Sequence, residues 1–103
     1  MRTALPALYP NGNGSNAEIT TATRLTFAAG TDVTVLQALV SNIIYTVDGT
    51  TPTATNGYVM YVGQEPLMFE IAAGMPITVL HAAAGARLQK NDMKYVARPG
   101  LVV

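Results

Sequence analysis

Apolar positions recur mostly at every second residue, in short runs separated by Gly, Pro, Asn and Asp, a period that predicts strands rather than helices. Arg24-Leu25-Thr26-Phe27 alternates and puts Leu25 and Phe27 on one face, with Gly30-Thr31-Asp32 closing the run. Val33 to Ser41 reads two ways: Val33, Leu36 and Val40 suit successive helical turns, whereas Val33, Val35 and their β-branched neighbours suit a strand. We assign extended structure to Thr34 through Leu36. Ile43 to Val47 is the strongest strand, rich in β-branched residues with Tyr45 among them. Tyr58 to Val62 follows, then a Gly63-Gln64-Glu65-Pro66 turn. Leu67, Phe69 and Ile71 share a face in the next run, which Ala72-Ala73-Gly74 breaks. Pro76 to Ala82 aligns Ile77 and Val79, with His81 at the end of the same alternation; an Ala83-Ala84-Gly85 turn and Ala86 to Lys90 complete an expected hairpin. Strands at a spacing of about ten residues predict an all-β sandwich with little or no helix.

Both ends read differently from this middle zone. Residues 1–22 combine Pro6 and Pro10 with apolar Leu5, Leu8 and Tyr9, then run through Asn11-Gly12-Asn13-Gly14-Ser15-Asn16, a stretch too rich in Gly and Asn for a regular element. An arm followed by a loop is expected there, with the sandwich over 23–90 and a terminal strand or arm over 91–103. Tyr95-Val96 suits a strand that Pro99-Gly100 ends, leaving Leu101, Val102 and Val103 apolar at the end. Leu5, Leu8, Tyr9, Leu101, Val102 and Val103 are therefore the candidate partner-binding residues. They dock on this domain or on a neighbour, the neighbour being favoured, and the terminal strand pairs with a sheet edge by strand addition.

Residues 43–53 join the strongest strand to a rigid turn. Asp48 can bond its own downstream backbone, Gly49 takes positive φ without steric cost, and Pro52 fixes φ and pushes Thr51 toward an extended conformation. Tyr45-Thr46-x-Asp48-Gly49-Thr50-x-Pro52-Thr53 resembles the Tyr-Thr-x-Asp-Gly-Ser/Thr-x-Pro-Thr signature of immunoglobulin-like domains at the C-termini of chitobiases and other bacterial glycosidases. Similar β-domains occur in small structural proteins of tailed bacteriophages, where a Gly-hydrophobic strand follows the motif, as Asn56-Gly57-Tyr58-Val59-Met60 does here. The likeness spans about Thr34 to Gln89, and only the nine-residue signature is specific. It implies an Ig-like sandwich of about six to eight short strands. It also implies that Asp48, Gly49 and Pro52 form a structural corner rather than a catalytic site, in either an accessory domain of an enzyme or a virion part.

Composition bears on that choice. The chain has 103 residues, enough for one domain with a core. Charged residues make up 12% against 50% hydrophobic ones, with zero net charge, which suits a surface covered by neighbours as well as a compact domain with a neutral Thr- and Asn-rich exterior. With no Cys, neither a disulfide framework nor a thiolate metal site is expected. No apolar run has signal-peptide or membrane-spanning length, so cytoplasmic production and no membrane partner are expected. The start at Met1 without a linker favours a small independent gene product over an excised enzyme module.

Candidate chemistry is sparse. His81 is the only histidine, so the expectation is a structural or interface role. Glu18, Asp32, Asp48, Glu65 and Glu70 are scattered singly and read as turn caps and solvated charge. Asn11-Gly12-Asn13-Gly14 lacks the strand before and the Lys-Ser/Thr helix after that a phosphate loop needs. No cofactor, metal or catalytic residue is expected. Arg87, Lys90, Lys94 and Arg98 make the C-terminal region basic and the rest acidic, too thinly for direct nucleic-acid binding but suited to a basic end meeting an acidic face of an adjacent subunit. Tyr45, Tyr58, Tyr61 and Tyr95 are the possible glycan platform, with core packing the favoured reading. The resulting expectation is a non-enzymatic, homo-oligomeric virion protein made in the bacterial host cytoplasm. It would be a capsid decoration or cement protein bound to other virion proteins, the major capsid protein above all. A head-tail connector, tail or fibre component and a carbohydrate-binding β-module are the alternatives.

Overall fold

In a computed structural model the backbone is described for residues 4–71 and 74–102, and side chains for 7–71 and 74–96. The described chain is all-β, with nine strands and no helix: β1 (Ala4–Pro10), β2 (Ser15–Glu18), β3 (Thr23–Arg24), β4 (Val33–Leu39), β5 (Ile43–Thr46), β6 (Tyr58–Met60), β7 (Leu67–Glu70), β8 (Thr78–His81) and β9 (Arg87–Val102). They form two antiparallel sheets, one ordered β1-β9-β4-β7 with β2 also on β9, the other β3-β8-β5-β6.

The period-two pattern places the core. Leu36 and Ala38 of β4, Leu88 of β9, Ile43 of β5, Met60 of β6 and Val79 of β8 meet between the sheets with Ile19, Ile71, Ile77 and Ala86. Leu25, Phe27, Leu67 and Phe69 pack around them, as their shared faces predict. β5 is buried on its outer face too, at Ile44 and Thr46, because residues 50–57 fold back over it.

Several expectations need correction. The strands number nine rather than about six to eight, and β9 is not short, at 16 residues. Ser15–Glu18 is a strand despite its polar, Gly-flanked sequence, because β9 offers it a backbone partner from Lys90 to Arg87, and pairing outweighs weak local preference. Of the alternating run 24–27 only Arg24 lies in a strand, the two-residue β3 of Thr23–Arg24. The ambiguous region is a strand throughout Val33–Leu39, held between β9 and β7. β8 and β9 do not form a hairpin: Ala83-Ala84-Gly85, with Gly85 at φ 88°, carries the chain from one sheet to the other. β9 also passes through Pro99 and Gly100 without ending, since proline is tolerated where an edge strand asks no N–H of it.

The two sheets are linked after β4 by a tight reversal centred on Val40. Ser41 N–H donates to the Leu39 carbonyl at 2.8 Å, and Val40 has a φ of 72°. A β-branched residue is strained in this left-handed region.

Candidate assembly surfaces

At 16 residues, β9 is more than twice the length of its inner partner β4, which has seven. From Arg87 to Met93 it pairs with β4, whose Leu39 to Val33 run alongside. Beyond Met93 its remaining strand partner is β1, matched from Pro10↔Met93 to Pro6↔Ala97 and, after an irregularity, at Ala4↔Val102. At about 3.3 Å per residue, residues 94–102 extend roughly 30 Å. The principal extents of 52 × 24 × 21 Å and a radius of gyration of 15.4 Å, against about 13 Å for a compact chain of this length, show the elongation this ribbon brings.

A dense hydrogen-bond cluster fixes the root of the ribbon. The Asp92 carboxylate, buried at 7% exposure, accepts from Ala28 N–H at 2.9 Å, Thr34 Oγ1 at 3.2 Å and Lys90 Nζ at 3.0 Å. The Lys90 ammonium lies 5.2 Å from the Phe27 ring centroid. This pairing lets two opposite charges sit inside the sandwich mouth with every buried side-chain N and O satisfied among the described residues. Where β4 ends, Asp32 replaces it: its N–H donates to the Met93 carbonyl and its Oδ2 accepts from Tyr95 N–H, both at 2.9 Å. On the β1 side Asn11 donates its N–H to the Asp92 carbonyl at 2.8 Å and its carboxamide to Thr31 Oγ1 at 2.8 Å.

These bonds set the direction of every backbone group along the regular part of the ribbon, since successive residues alternate sides. Asn11 N–H faces β9, so those of Tyr9 and Ala7 do as well, and the nitrogens of Pro6, Leu8 and Pro10 face outward. Two of those three nitrogens carry no hydrogen, which blanks the outer edge of β1. On β9 the Met93 carbonyl and Tyr95 N–H face the β4 side, so the N–H and C=O of Ala97 point to the open edge where β4 no longer runs.

The candidate partner-binding residues converge on this ribbon. Leu8 is half-buried opposite Tyr95, and Tyr9, 40% exposed, stands opposite Lys94. Leu5 lies in β1 and Leu101 and Val102 in β9, their side chains outside the described residues; Val103 lies outside them altogether. Sequence reading missed that the two arms pair with each other. Tyr95 is 47% exposed and its hydroxyl donates to Glu70 Oε1 at 3.4 Å. Partial desolvation, followed by the nearby Glu70 and Asp32 charges and this bond, raises its phenol above the ordinary range. Of the four basic residues near this end, Arg87 bonds Asn16 through Nε at 2.6 Å, Lys90 pairs with Asp92 and Lys94 is exposed, while the Arg98 side chain lies outside the described residues.

The corner is closed locally. Asp48 Oδ1 accepts from Thr50 Oγ1 at 2.6 Å and Thr50 N–H at 3.1 Å, the two bonds, in that order, that hold its carboxyl below the ordinary range. Thr46 Oγ1 donates to the Thr50 carbonyl at 2.5 Å, and Thr53 and Asn56 exchange backbone bonds. Pro52 is buried, Gly49 has φ 86°, and Gly57 has φ 138° where a Cβ would lie 2.7 Å from Ile44 Cγ2. Beside the corner, Thr50, Asn56 and Tyr58 help line a groove of about 270 Å³. Tyr58 is 64% exposed and tilted against Tyr45 at 5.7 Å; Tyr45 in turn meets Phe69 edge-on at 5.5 Å. Burial, then Tyr58, pushes the Tyr45 phenol upward. Tyr61 is exposed just beyond β6.

His81 is half-buried with Nδ1 at 3.0 Å from the Ile19 carbonyl. Among the described residues no group of three or more His, Cys, Asp or Glu could hold a metal, and no helix is long and apolar enough to cross a membrane. Compared with known proteins, the chain matches no family model, no curated protein and no solved structure.

Proposed function

We propose that the protein is a non-enzymatic structural component of a tailed-bacteriophage virion, a capsid decoration or cement protein that binds at junctions between capsomers. The observation that carries this reading is the ribbon. Two strands alone are at best marginally stable in water. This pair holds Ala4, Leu5, Ala7, Leu8 and Tyr9 against Tyr95, Val96, Ala97, Leu101 and Val102, an apolar sequence on both strands that gains stability when a neighbour covers it. Its root is bonded into the sandwich, so the ribbon is presented in a set direction and binding costs little ordering entropy. Many copies, each adding a modest interface, would sum to a large resistance to internal pressure. The resemblance of the Tyr45–Thr53 corner to that of phage structural β-domains supplies the setting: assembly in the host cytoplasm and the major capsid protein as the partner.

Mass spectrometry and cryo-electron microscopy of purified particles test this. Hundreds of copies per virion are expected; about six to a few dozen, the numbers of tail symmetry, would instead make it a connector, tail or fibre component. Absence from the particle would overturn both.

A second reading, a carbohydrate-binding module, is favoured by the groove beside the exposed Tyr58 ring. Glycan-array binding that Tyr58→Ala abolishes would support it. No binding to any glycan would remove it.

A further inference from the structure

An asparagine followed by glycine is prone to spontaneous deamidation, because glycine has no Cβ to shield its amide nitrogen from the preceding carboxamide. The chain has three such pairs, Asn11-Gly12, Asn13-Gly14 and Asn56-Gly57, and the fold treats them differently. Asn11 is half-buried and held on both sides. Its N–H donates to the Asp92 carbonyl at 2.8 Å, and its carboxamide donates to Thr31 Oγ1 at 2.8 Å and to the Ala29 carbonyl at 3.2 Å. Asn56 exchanges backbone bonds with Thr53 at 2.9 and 3.3 Å. Behind it Gly57 is packed so closely that a Cβ would lie 2.7 Å from Ile44 Cγ2 and 3.0 Å from the Tyr45 carbonyl, which leaves that peptide no room to rotate. Asn13 has no such hold. It is exposed, lies outside any strand and makes no hydrogen bond among the described residues. It also lines a cavity of about 510 Å³ with Val35, Asn91 and Met93, so its carboxamide has space to turn.

From this contrast we infer that Asn13 is a site of self-modification, where the folded chain converts its own asparagine to aspartate and isoaspartate. The Gly14 amide nitrogen, giving up its proton to solvent, bonds to Asn13 Cγ. The Cγ–Nδ2 bond breaks, a proton returns to the departing nitrogen, and ammonia leaves behind a cyclic imide. Water then opens the ring. Attack at Cγ leaves an aspartyl residue, whereas attack at the main-chain carbonyl leaves an isoaspartyl link, in which the chain runs through Cβ and Cγ and gains one methylene. Either product adds a negative charge to a chain of zero net charge.

The added methylene falls where the chain has least slack. Gly14 is pressed against β9: a Cβ there would collide with Asn91 Oδ1 and come within 3.2 Å of Gln89 Nε2. Ser15 and Asn16, the first residues of β2, follow directly and pair with Lys90 and Gln89. Asn16 also accepts from Arg87 Nε at 2.6 Å and donates to Gln89 Oε1 at 3.3 Å. The isoaspartyl form therefore loosens β2 from β9. The root of the ribbon, held by Asn11, Asp32 and Asp92, stays in place.

This inference does not rest on the proposed function and is tested on the isolated, full-length protein. The chain is aged at mildly alkaline pH, and peptide mapping by mass spectrometry follows each Asn-Gly pair while isoaspartyl methyltransferase labelling counts isoaspartate. Asn13 should convert at least roughly tenfold faster than Asn11 or Asn56, which must wait for local opening. In urea the three should react at similar rates, since only the fold separates them. Asn13→Gln, an exposed change, should keep the charge of the folded chain constant over the same period. In aged protein the amide resonances of Ser15 to Glu18 should move while those of Tyr95 do not. An Asn13 that stays intact in the folded chain while it reacts in urea would overturn the inference, as would Asn11 or Asn56 converting as fast.

Discussion

The corner after β5 and the root of the ribbon both depend on a carboxylate, yet they differ in reach. Asp48 bonds Thr50, two residues away. Asp92 bonds Lys90 two residues away, but also Thr34 and Ala28, 58 and 64 residues distant in the chain. The first is a turn that the local sequence can form unaided; the second exists only after β4, β9 and the loop before β4 have come together. A local bond network rigidifies what the chain already prefers, whereas a distant one decides where an arm points.

The comparison can be broken most sharply at the root. Asp92→Ala strips the Lys90 ammonium and Ala28 N–H of their partner, and should cost about 3–4 kcal/mol in urea denaturation. It should also collapse the chemical-shift differences that mark an ordered ribbon at Tyr95. At the corner the largest effect is expected from Gly57→Ala, at about 3 kcal/mol, because positive φ and the approach to Ile44 Cγ2 act together. Its effect on Tyr95 resonances should be nil, which separates the two regions. Asp48→Ala should lower the urea midpoint by less than either, because its bonds to Thr50 lie in solvent. Removing strain works in the opposite direction: Val40→Gly should raise stability by about 1 kcal/mol through relief of the φ of 72°.

Protonation gives the finest comparison. Asp48 has a depressed carboxyl, so its contribution is full above the unfolded value near 4 and is lost as pH falls through the lower folded value. The Thr50 amide shift should follow that titration in an NMR series, and Asp48→Asn should abolish it. Tyr95 is raised, so its contribution is full below the unfolded value near 10 and is lost as pH climbs through the higher folded value. Phenolate absorbance should show one late-titrating component missing from Tyr95→Phe.

What could be read from the sequence divides along the same line. The sandwich, the shared face of Leu67, Phe69 and Ile71, and the turn at Asp48-Gly49 follow from period and local turn chemistry, both carried by neighbouring residues. The pairing of β1 with β9 was not legible, because Pro6, Pro10 and Pro99 argue locally against strands. Only the register shows Pro6 and Pro10 directed where no N–H is required. The hairpin expected at Ala83-Ala84-Gly85 failed for a related reason: a turn signal reports that the chain reverses, not which sheet receives it. Groups whose partners lie 58 or more residues away, such as Asp92, leave no local pattern to find.

The 16 residues of β9 form one uninterrupted strand that is an inner member of the body and half of the ribbon. A load applied to the ribbon's far end therefore enters the sandwich along its own axis, as shear across the Val33–Leu39 ladder. The bonds of that ladder share the force instead of opening one after another like a zipper. Under the proposed function, a strand laid out this way would serve as a tether as well as a binding arm, suited to a shell whose parts are pushed apart from within.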